Sequence, residues 1–350
     1  MSFLENLFHK EKKIESVVLI DISTSSVAGA YATFASGEQP TLHYLRRLPV
    51  EMHEGESDAR AMLRALKILG DTLVREGAPA LLRVTGTGRA DSVLVSVDAP
   101  WEKTSVRTEH FEQDEPFTFT KEMVRAALEK ASFAPPEQLL ADESVIGTTL
   151  NGYQTRDPYD KEANRAAVII LTSLINKRVA EGVKAIMRGV LHAEDIFPIA
   201  GSSLRYQAIR TAFPHETDAL IIDATGRELT SLSLVRKSLL VNITEMKERT
   251  ENSVAWTRSL TDTLKTIAQR FPLPRTVFLL AREPELSILR EALLTAKLGS
   301  LWLSDNPPKI TSILGSHVST FVRQATTNPA DLSLLLMALF RQNRTPDEAV

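Results

Sequence analysis

Two stretches with the same pattern, about 200 residues apart, constrain the fold of this chain more than any other feature. In each, an apolar run typical of a buried strand ends on an aspartate, passes a small polar turn and continues into a second strand. The first covers residues 16–34 and carries Asp21, and the second covers residues 219–235 and carries Asp223. The repetition predicts a duplicated fold with a cleft between the two copies.

The two aspartates have the surroundings of a site for a metal-bound phosphate. A turn beside a strand end presents backbone N–H groups to an anion, and a carboxylate there binds the cation or its water molecules. The alternative is a plain β-hairpin in which Asp223 is hydrogen-bonded to its own turn. The stretch alone leaves both interpretations open.

Composition limits the function classes. The chain has 350 residues, which is long enough for two domains with substantial cores. A formal net charge of −3 gives no reason to expect a nucleic-acid partner. The sequence has no cysteine, which excludes disulfides and thiolate metal sites and is compatible with a reducing cytoplasm. No apolar run approaches the ~20 residues that a membrane-spanning helix needs.

The first 13 residues place Phe3, Leu4, Leu7 and Phe8 on one helical face, ahead of a basic cluster at 10–13. Such a segment suits peripheral contact with a membrane surface or a partner. A frayed terminus before the first strand is the alternative. This 13-residue segment lacks the apolar core and cleavage site of a signal peptide.

Between the two repeats the composition changes, and the pattern predicts a small α+β insert at residues 98–203. Two amphipathic helices are predicted there, at 121–132 and 176–191, over a small sheet. Before the insert, the apolar run Leu81–Thr85 is predicted to be a strand. The helix at 202–213 is predicted to lead the chain back to the first domain.

Three stretches of the insert carry a resemblance to a known family. Ser96-Val-Asp-Ala-Pro-Trp101, Phe117-Thr-Phe-Thr-Lys-Glu122 and Leu150-Asn-Gly-Tyr153 follow one another in the order of the SHS2, or 1C, subdomain. With the two aspartate turns, the chain resembles the actin-like ATPase superfamily. It is most similar to the bacterial branch that contains FtsA and PilM.

The resemblance implies an α/β, two-domain actin-like (ribonuclease H-like) fold with an SHS2-type insert. Domain I would be formed by residues 14–97, a return helix at 204–218 and a C-terminal helix at 330–342. Domain II would cover residues 219–329. Residues 1–13 would form an N-terminal segment and residues 343–350 a tail.

The resemblance also implies site residues. Asp21 and Asp223 would bind Mg²⁺, and both turns would bind the phosphates of ATP. The insert would contact protein partners through Asn151, Gly152 and Tyr153. The implied phosphate-binding residues are Asp21, Ser23, Thr24, Ser25, Ser26, Asp223, Thr225, Gly226 and Thr230.

Departures from the family pattern put nucleotide binding in doubt. Ser23 stands where the family's first turn has a glycine, and the second turn has lost one glycine. The family's glycine-rich adenosine turn corresponds here to Leu280-Ala-Arg-Glu-Pro-Glu285, which has no glycine. The bulky or rigid residues Arg282, Glu283 and Pro284 are expected to fill the base pocket. The family pattern assigns no water-activating acid or glutamine, and Asp98, at the end of a core strand, is left open as a candidate.

Two hypotheses therefore stay open. The chain is an Mg-ATP-binding protein with slow turnover, at most a weak ATPase, or it is an actin-like scaffold with a degenerate nucleotide site. A sugar kinase of the same superfamily would need a larger second domain. The expected role is a cytoplasmic adaptor at the inner face of the cell membrane, in cell division or type IV pilus assembly. Its partners would be membrane-bound assembly proteins, and whether the protein self-associates is left open.

Overall fold

The computed structural model describes residues 14–130, 134–155, 157–226, 229–248, 250–296, 298–302 and 308–344. The predicted N-terminal segment 1–13 lies outside the described residues, as does the tail from residue 345 onwards. No described helix is long and apolar enough to cross a membrane.

The first part of the chain folds as three antiparallel strands, two helices and a strand parallel to the first. β1 and β2 are buried along nearly their whole length because helices cover both faces of their sheet. The elements are β1 (Glu15–Ile22), β2 (Ser26–Phe34), β3 (Thr41–Pro49), α1 (Asp58–Thr72), α2 (Ala78–Thr85) and β4 (Ser92–Val97).

The predicted strand at Leu81–Thr85 is wrong, because these residues belong to α2. Pro79 lies in the first turn of that helix, where its missing N–H costs nothing, and Gly86 ends the helix with a left-handed φ of 76°. Only Leu81 of the apolar run is buried, as helical periodicity requires.

The middle of the chain forms a four-stranded antiparallel sheet with the order β5-β8-β6-β7. Thr120 caps α3 and Asn176 caps α4, each by accepting a hydrogen bond from the third helical N–H. Helix α4 packs against α1. The elements are β5 (Glu102–Thr118), α3 (Lys121–Glu129), β6 (Gln138–Leu150), β7 (Tyr153–Gln154), β8 (Glu162–Asn176) and α4 (Lys177–Leu191).

The chain then crosses to a second large sheet through β9 (Ile196–Ala200) and α5 (Gly201–Ala212). This sheet has the order β12-β11-β10-β13-β14. Its elements are β10 (Ala219–Asp223), β11 (Thr230–Arg236), β12 (Leu239–Met246), α6 (Ser253–Ala268), β13 (Thr276–Leu280), α7 (Glu283–Thr295) and β14 (Lys309–Ser312).

The last elements return to the first sheet: α8 (Gly315–Val318), β15 (Arg323–Gln324) and α9 (Leu332–Asn343). That sheet has the order β15-β3-β2-β1-β4-β9. Apart from β15, both large sheets have three antiparallel strands followed by two parallel ones, in the same spatial order. The two-domain α/β fold predicted from the repeated aspartate turns is therefore confirmed.

Helices α5 and α9 lie between the two large sheets. One apolar cluster joins side chains of both sheets with Leu204 and Ile209 of α5 and with the buried run 334–340 of α9. The insert sheet also touches the second sheet directly. A Cβ on Gly147 of β6 would lie 2.0 Å from Cδ2 of Leu239 in β12, so the leucine side chain packs directly on the backbone of β6. The insert therefore contacts both large sheets.

Candidate functional site

The first aspartate turn is closed by its own serines. The Ser23 N–H donates to the Ser26 carbonyl at 3.0 Å, and the Ser23 hydroxyl accepts from the Ser26 N–H at 3.2 Å. Thr24 and Ser25 are half-buried at the tip of the turn. Two backbone N–H groups of this turn, those of Ser23 and Ser26, are therefore already used within the turn rather than being available to an anion.

The second turn is held by Asp223. Its Oδ1 accepts hydrogen bonds from the Thr225 N–H at 3.1 Å and from the Thr225 hydroxyl at 2.6 Å. Thr230 accepts a hydrogen bond from the buried indole of Trp256 at 2.9 Å. Asp223 is thus bonded to its own turn, as the plain-hairpin interpretation proposed, and Thr230 has a packing role.

Arg205 of α5 lies between Asp98, which follows β4, and Asp223, which ends β10. Its Nη1 donates to Asp98 Oδ1 at 2.8 Å, and its Nε donates to Asp223 Oδ2 in a very short contact. The side chain is buried, with 5% of the residue exposed. Burial raises the pKa of Asp98 to about 6, although the Arg205 charge opposes this shift.

Arg47 of β3 pairs with the other aspartate. It donates to Asp21 Oδ2 at 2.9 Å, to the Ser26 hydroxyl at 2.8 Å and to both oxygens of Asp331, which caps α9. Burial acts to raise the pKa of Asp331, but Arg47 outweighs it and holds that pKa below its usual range. The second Asp21 oxygen, Oδ1, is buried and has no hydrogen-bond partner among the described residues.

Arg282, at the start of α7, spans the two turns. Its Nη2 donates to the Ser25 hydroxyl at 2.5 Å and to the Ser23 hydroxyl at 3.4 Å. Its Nε donates to the Thr225 carbonyl at 3.1 Å. The structure therefore brings Asp21, Ser23–Ser26, Asp223 and Thr225 to one cleft, with arginine side chains among them.

The residues present do not fit Mg²⁺ and ATP in this arrangement. One oxygen of Asp21 is bound by Arg47, and both oxygens of Asp223 are bound, by Arg205 and by Thr225. Arg282 fills the space between the turns. Among the described residues, no cluster of three or more acidic or histidine side chains is arranged to hold a metal ion. The nucleotide and metal site stays a prediction.

The turn at 151–153 joins β6 to β7. Asn151 and Gly152 have left-handed φ values of 51° and 83°, as a two-residue Asn-Gly hairpin requires. The Asn151 side chain accepts hydrogen bonds from the N–H groups of Asn164 and Arg165 at 3.0 and 3.2 Å. Asn151 and Gly152 therefore shape the turn, while Tyr153 is 78% exposed. Partner contact there stays a prediction.

A second site, which sequence reasoning missed, is a groove between β6 of the insert and helices α5 and α9. This insert groove encloses about 620 Å³, and its lining includes Ser238, between β11 and β12. Residues 143–146 of β6 form one wall, Tyr206, Gln207 and Arg210 of α5 a second, and Phe340 and Asn343 of α9 a third.

Comparison with known proteins adds the fold family. No protein-family model and no curated protein sequence matches the chain. Among solved structures, a chain of the PilM-PilN type IV pilus biogenesis complex is similar over 94% of this chain and 99% of that one. It has 15% identity and a TM-score of 0.57. The fold is that of the actin-like ATPases.

Two further actin-like matches are more distant. A protein of actin-like ATPase fold and unknown function from Bacteroides thetaiotaomicron has 7% identity and a TM-score of 0.44, over 93% of this chain and 95% of that one. The ethanolamine utilization protein EutJ from Carboxydothermus hydrogenoformans has 11% identity and a TM-score of 0.40, over 94% and 90%. At these identities the likenesses concern the fold.

Two of the three cleft arginines were missed from the sequence. The sequence predicts that Arg282, with Glu283 and Pro284, fills the base pocket, but it does not identify Arg47 and Arg205 as cleft residues. The available signal was electrostatic: several aspartates at the ends of buried strands require nearby cations or hydrogen-bond donors. An arginine inside the apolar return helix was the natural candidate.

Proposed function

We propose that this actin-like protein is an adaptor in type IV pilus assembly at the inner face of the cell membrane. It binds an extended segment of a membrane-bound partner in the insert groove, and it does not depend on ATP turnover. The similar solved structure belongs to a pilus complex of PilM and PilN, which favours pilus assembly over cell division. The alternative is a slowly hydrolysing Mg-ATPase.

The observation that carries the proposal is a free sheet edge inside the groove. β6 pairs with β8 on one side, and on the other side β7 pairs only with Thr149 and Leu150. Along residues 143–146, the backbone N–H and C=O groups that point away from β8 are therefore paired by no described strand. An extended peptide satisfies such an edge by adding a strand, with its alternate side chains filling the groove.

One side chain on the same edge supports an extended occupant. Val145 is 38% exposed at the wall of the groove. A peptide strand beside β6 would cover this valine and remove its apolar surface from water.

Val145→Asp is expected to weaken binding of the PilN-like protein from the same organism by at least about tenfold, because it buries an unpaired charge in the interface. Isothermal titration with the full chain measures the affinity. Val254→Asp is the matched control, since Val254 is 72% exposed on α6 of the second sheet's domain. Tyr153→Ala tests the predicted contribution of the 151–153 turn in the same assay. An unchanged affinity of the Val145→Asp variant would show that the partner binds outside the groove.

Mg-ATP at millimolar concentration is expected to leave the melting temperature within about 1 °C of the ligand-free value, because arginine side chains engage the acids. A ligand at 100 times its dissociation constant would stabilise the fold by ~2.7 kcal/mol, which shifts the melting temperature by several degrees. Differential scanning fluorimetry distinguishes an unchanged melting temperature from a shift of several degrees. A shift that Asp21→Ala or Asp223→Ala removes would establish the ATPase alternative.

A further inference from the structure

We propose that Arg205 and Arg282 form a clamp, built from the chain itself, that holds the two actin-like domains closed across the cleft where the family resemblance implies a phosphate site. Because of the clamp, the cleft between the two domains stays closed without a bound ligand. This inference rests on the cleft geometry and does not require the pilus assignment.

Arg282 supplies the outer half of the clamp. It belongs to the second domain, where its Nε holds the Thr225 carbonyl of the second turn at 3.1 Å. Its other nitrogen, Nη2, reaches the Ser25 hydroxyl of the first domain at 2.5 Å. One planar guanidinium thus joins the two turns, with the bonds pointing in fixed directions. Opening the cleft would break the bonds to Ser23 and Ser25.

Arg205 supplies the inner half. It projects from α5 and pairs with Asp98, which follows β4 of the first sheet, and with Asp223, which ends β10 of the second. All three side chains are 7% exposed or less. Separating the domains would leave a buried charge without its counter-ion, so this half resists opening more strongly than a surface ion pair would.

The clamp also fixes the wall of the insert groove. Arg205 is followed directly by Tyr206 and Gln207, which line that groove from α5. On the preceding turn, the Ser202 hydroxyl donates to Thr104 of the insert at 2.9 Å. The position of α5 is therefore determined from both sides, by the interdomain acids and by the insert. A closed cleft keeps the groove in its described shape without a ligand.

The chain's lack of cysteine allows a direct test. Cysteines introduced at the exposed positions Glu54 and Arg270, one in each domain, carry a fluorophore pair for single-molecule energy transfer. In the full-length parent the distance distribution is expected to be narrow and unchanged by millimolar Mg-ATP. Arg282→Ser is expected to broaden it, increase its mean and lower the melting temperature by a few degrees. Arg258→Ser, on the exposed face of α6, is the matched control.

A double-mutant cycle separates the clamp from other effects of losing Arg282. Ser25→Ala combined with Arg282→Ser is expected to cost clearly less than the sum of the single changes, since both remove the same contact. Additive effects together with an unchanged distance distribution would overturn the clamp. A shift of the parent distribution on adding Mg-ATP would also overturn it. Failure to bind a pilus partner bears only on the proposed function.

Discussion

Arg205→Met is expected to lower the free energy of unfolding by about 3–5 kcal/mol, the range for breaking a buried ion pair by removing one partner. Methionine has a similar length and no charge, so packing of α5 is largely kept. Asp98 and Asp223 then remain buried without the guanidinium. Urea unfolding at neutral pH, compared with the unsubstituted chain, measures the loss.

Two further variants test whether the loss of stability in Arg205→Met comes from removing the guanidinium charge. Arg258→Met, at an exposed position of α6, is expected to stay within about 0.5 kcal/mol of the parent. Adding Asp223→Asn to Arg205→Met is expected to recover part of the stability, because one uncompensated carboxylate disappears. A loss below about 1 kcal/mol for Arg205→Met would mean that water reaches these acids, and the buried description of the cluster would fail.

Glu102→Gln is expected to make the protein more stable at pH 8 while changing little at pH 4. Glu102 begins β5 of the insert and is buried, accepting hydrogen bonds from the Thr104 hydroxyl at 3.0 Å and the Ser202 N–H at 3.4 Å. It forms no ion pair among the described residues. Burial raises its pKa to about 7, and the nearby charges of Asp98 and Glu245 act in the same direction.

The direction of the pH dependence follows from linkage. The folded protein binds the Glu102 proton more tightly than the unfolded chain does, so the associated stability is present below the unfolded pKa. It is lost as the pH rises toward about 7. Each pKa unit corresponds to ~1.4 kcal/mol, so the difference between variant and parent is expected to grow by up to about 3 kcal/mol.

The measurement is urea unfolding of both proteins at several pH values from 4 to 8. Glu54→Gln, at an exposed position, is the control and is expected to track the parent throughout. Glutamine suits the Glu102 site because its amide can donate and accept as the protonated carboxyl does. A stability difference that does not vary with pH would show that Glu102 ionises in the folded protein as it does in the unfolded chain.

The sequence was sufficient for the elements whose signal is local. The repeated strand, aspartate and turn gave the duplicated α/β architecture, because burial on both faces of a central strand leaves a continuous apolar run. The amphipathic helices of the insert followed from their 3.6-residue period. The strand prediction for Leu81–Thr85 is wrong because a short apolar run does not distinguish a strand from a helix. The flanking Pro79 and Gly86 are the residues that indicate a helix there.

The cleft chemistry was accessible only in part. Asp21, Ser23–Ser26, Asp223 and Thr225 do meet at one place, although β1 and β10 belong to different sheets, because the two copies of the strand pattern face each other across the cleft. The missing glycines and the bulky Arg282 indicate from the sequence alone that this cleft differs from the nucleotide site of the actin-like family. The sequence does not indicate which arginine pairs with which aspartate. Arg47 and Asp331, for example, are separated by 284 residues and meet only in the folded chain.

The sequence by itself determined two copies of one strand pattern, the insert between them and the acids at the strand ends, because hydrophobic period and turn chemistry act over a few residues. Only the tertiary structure decided that Arg205 and Arg282 join the domains and that the edge of β6 lines a groove with α5 and α9. Ion pairing and strand exposure depend on which distant segments the folded chain places side by side, and no local pattern encodes that choice.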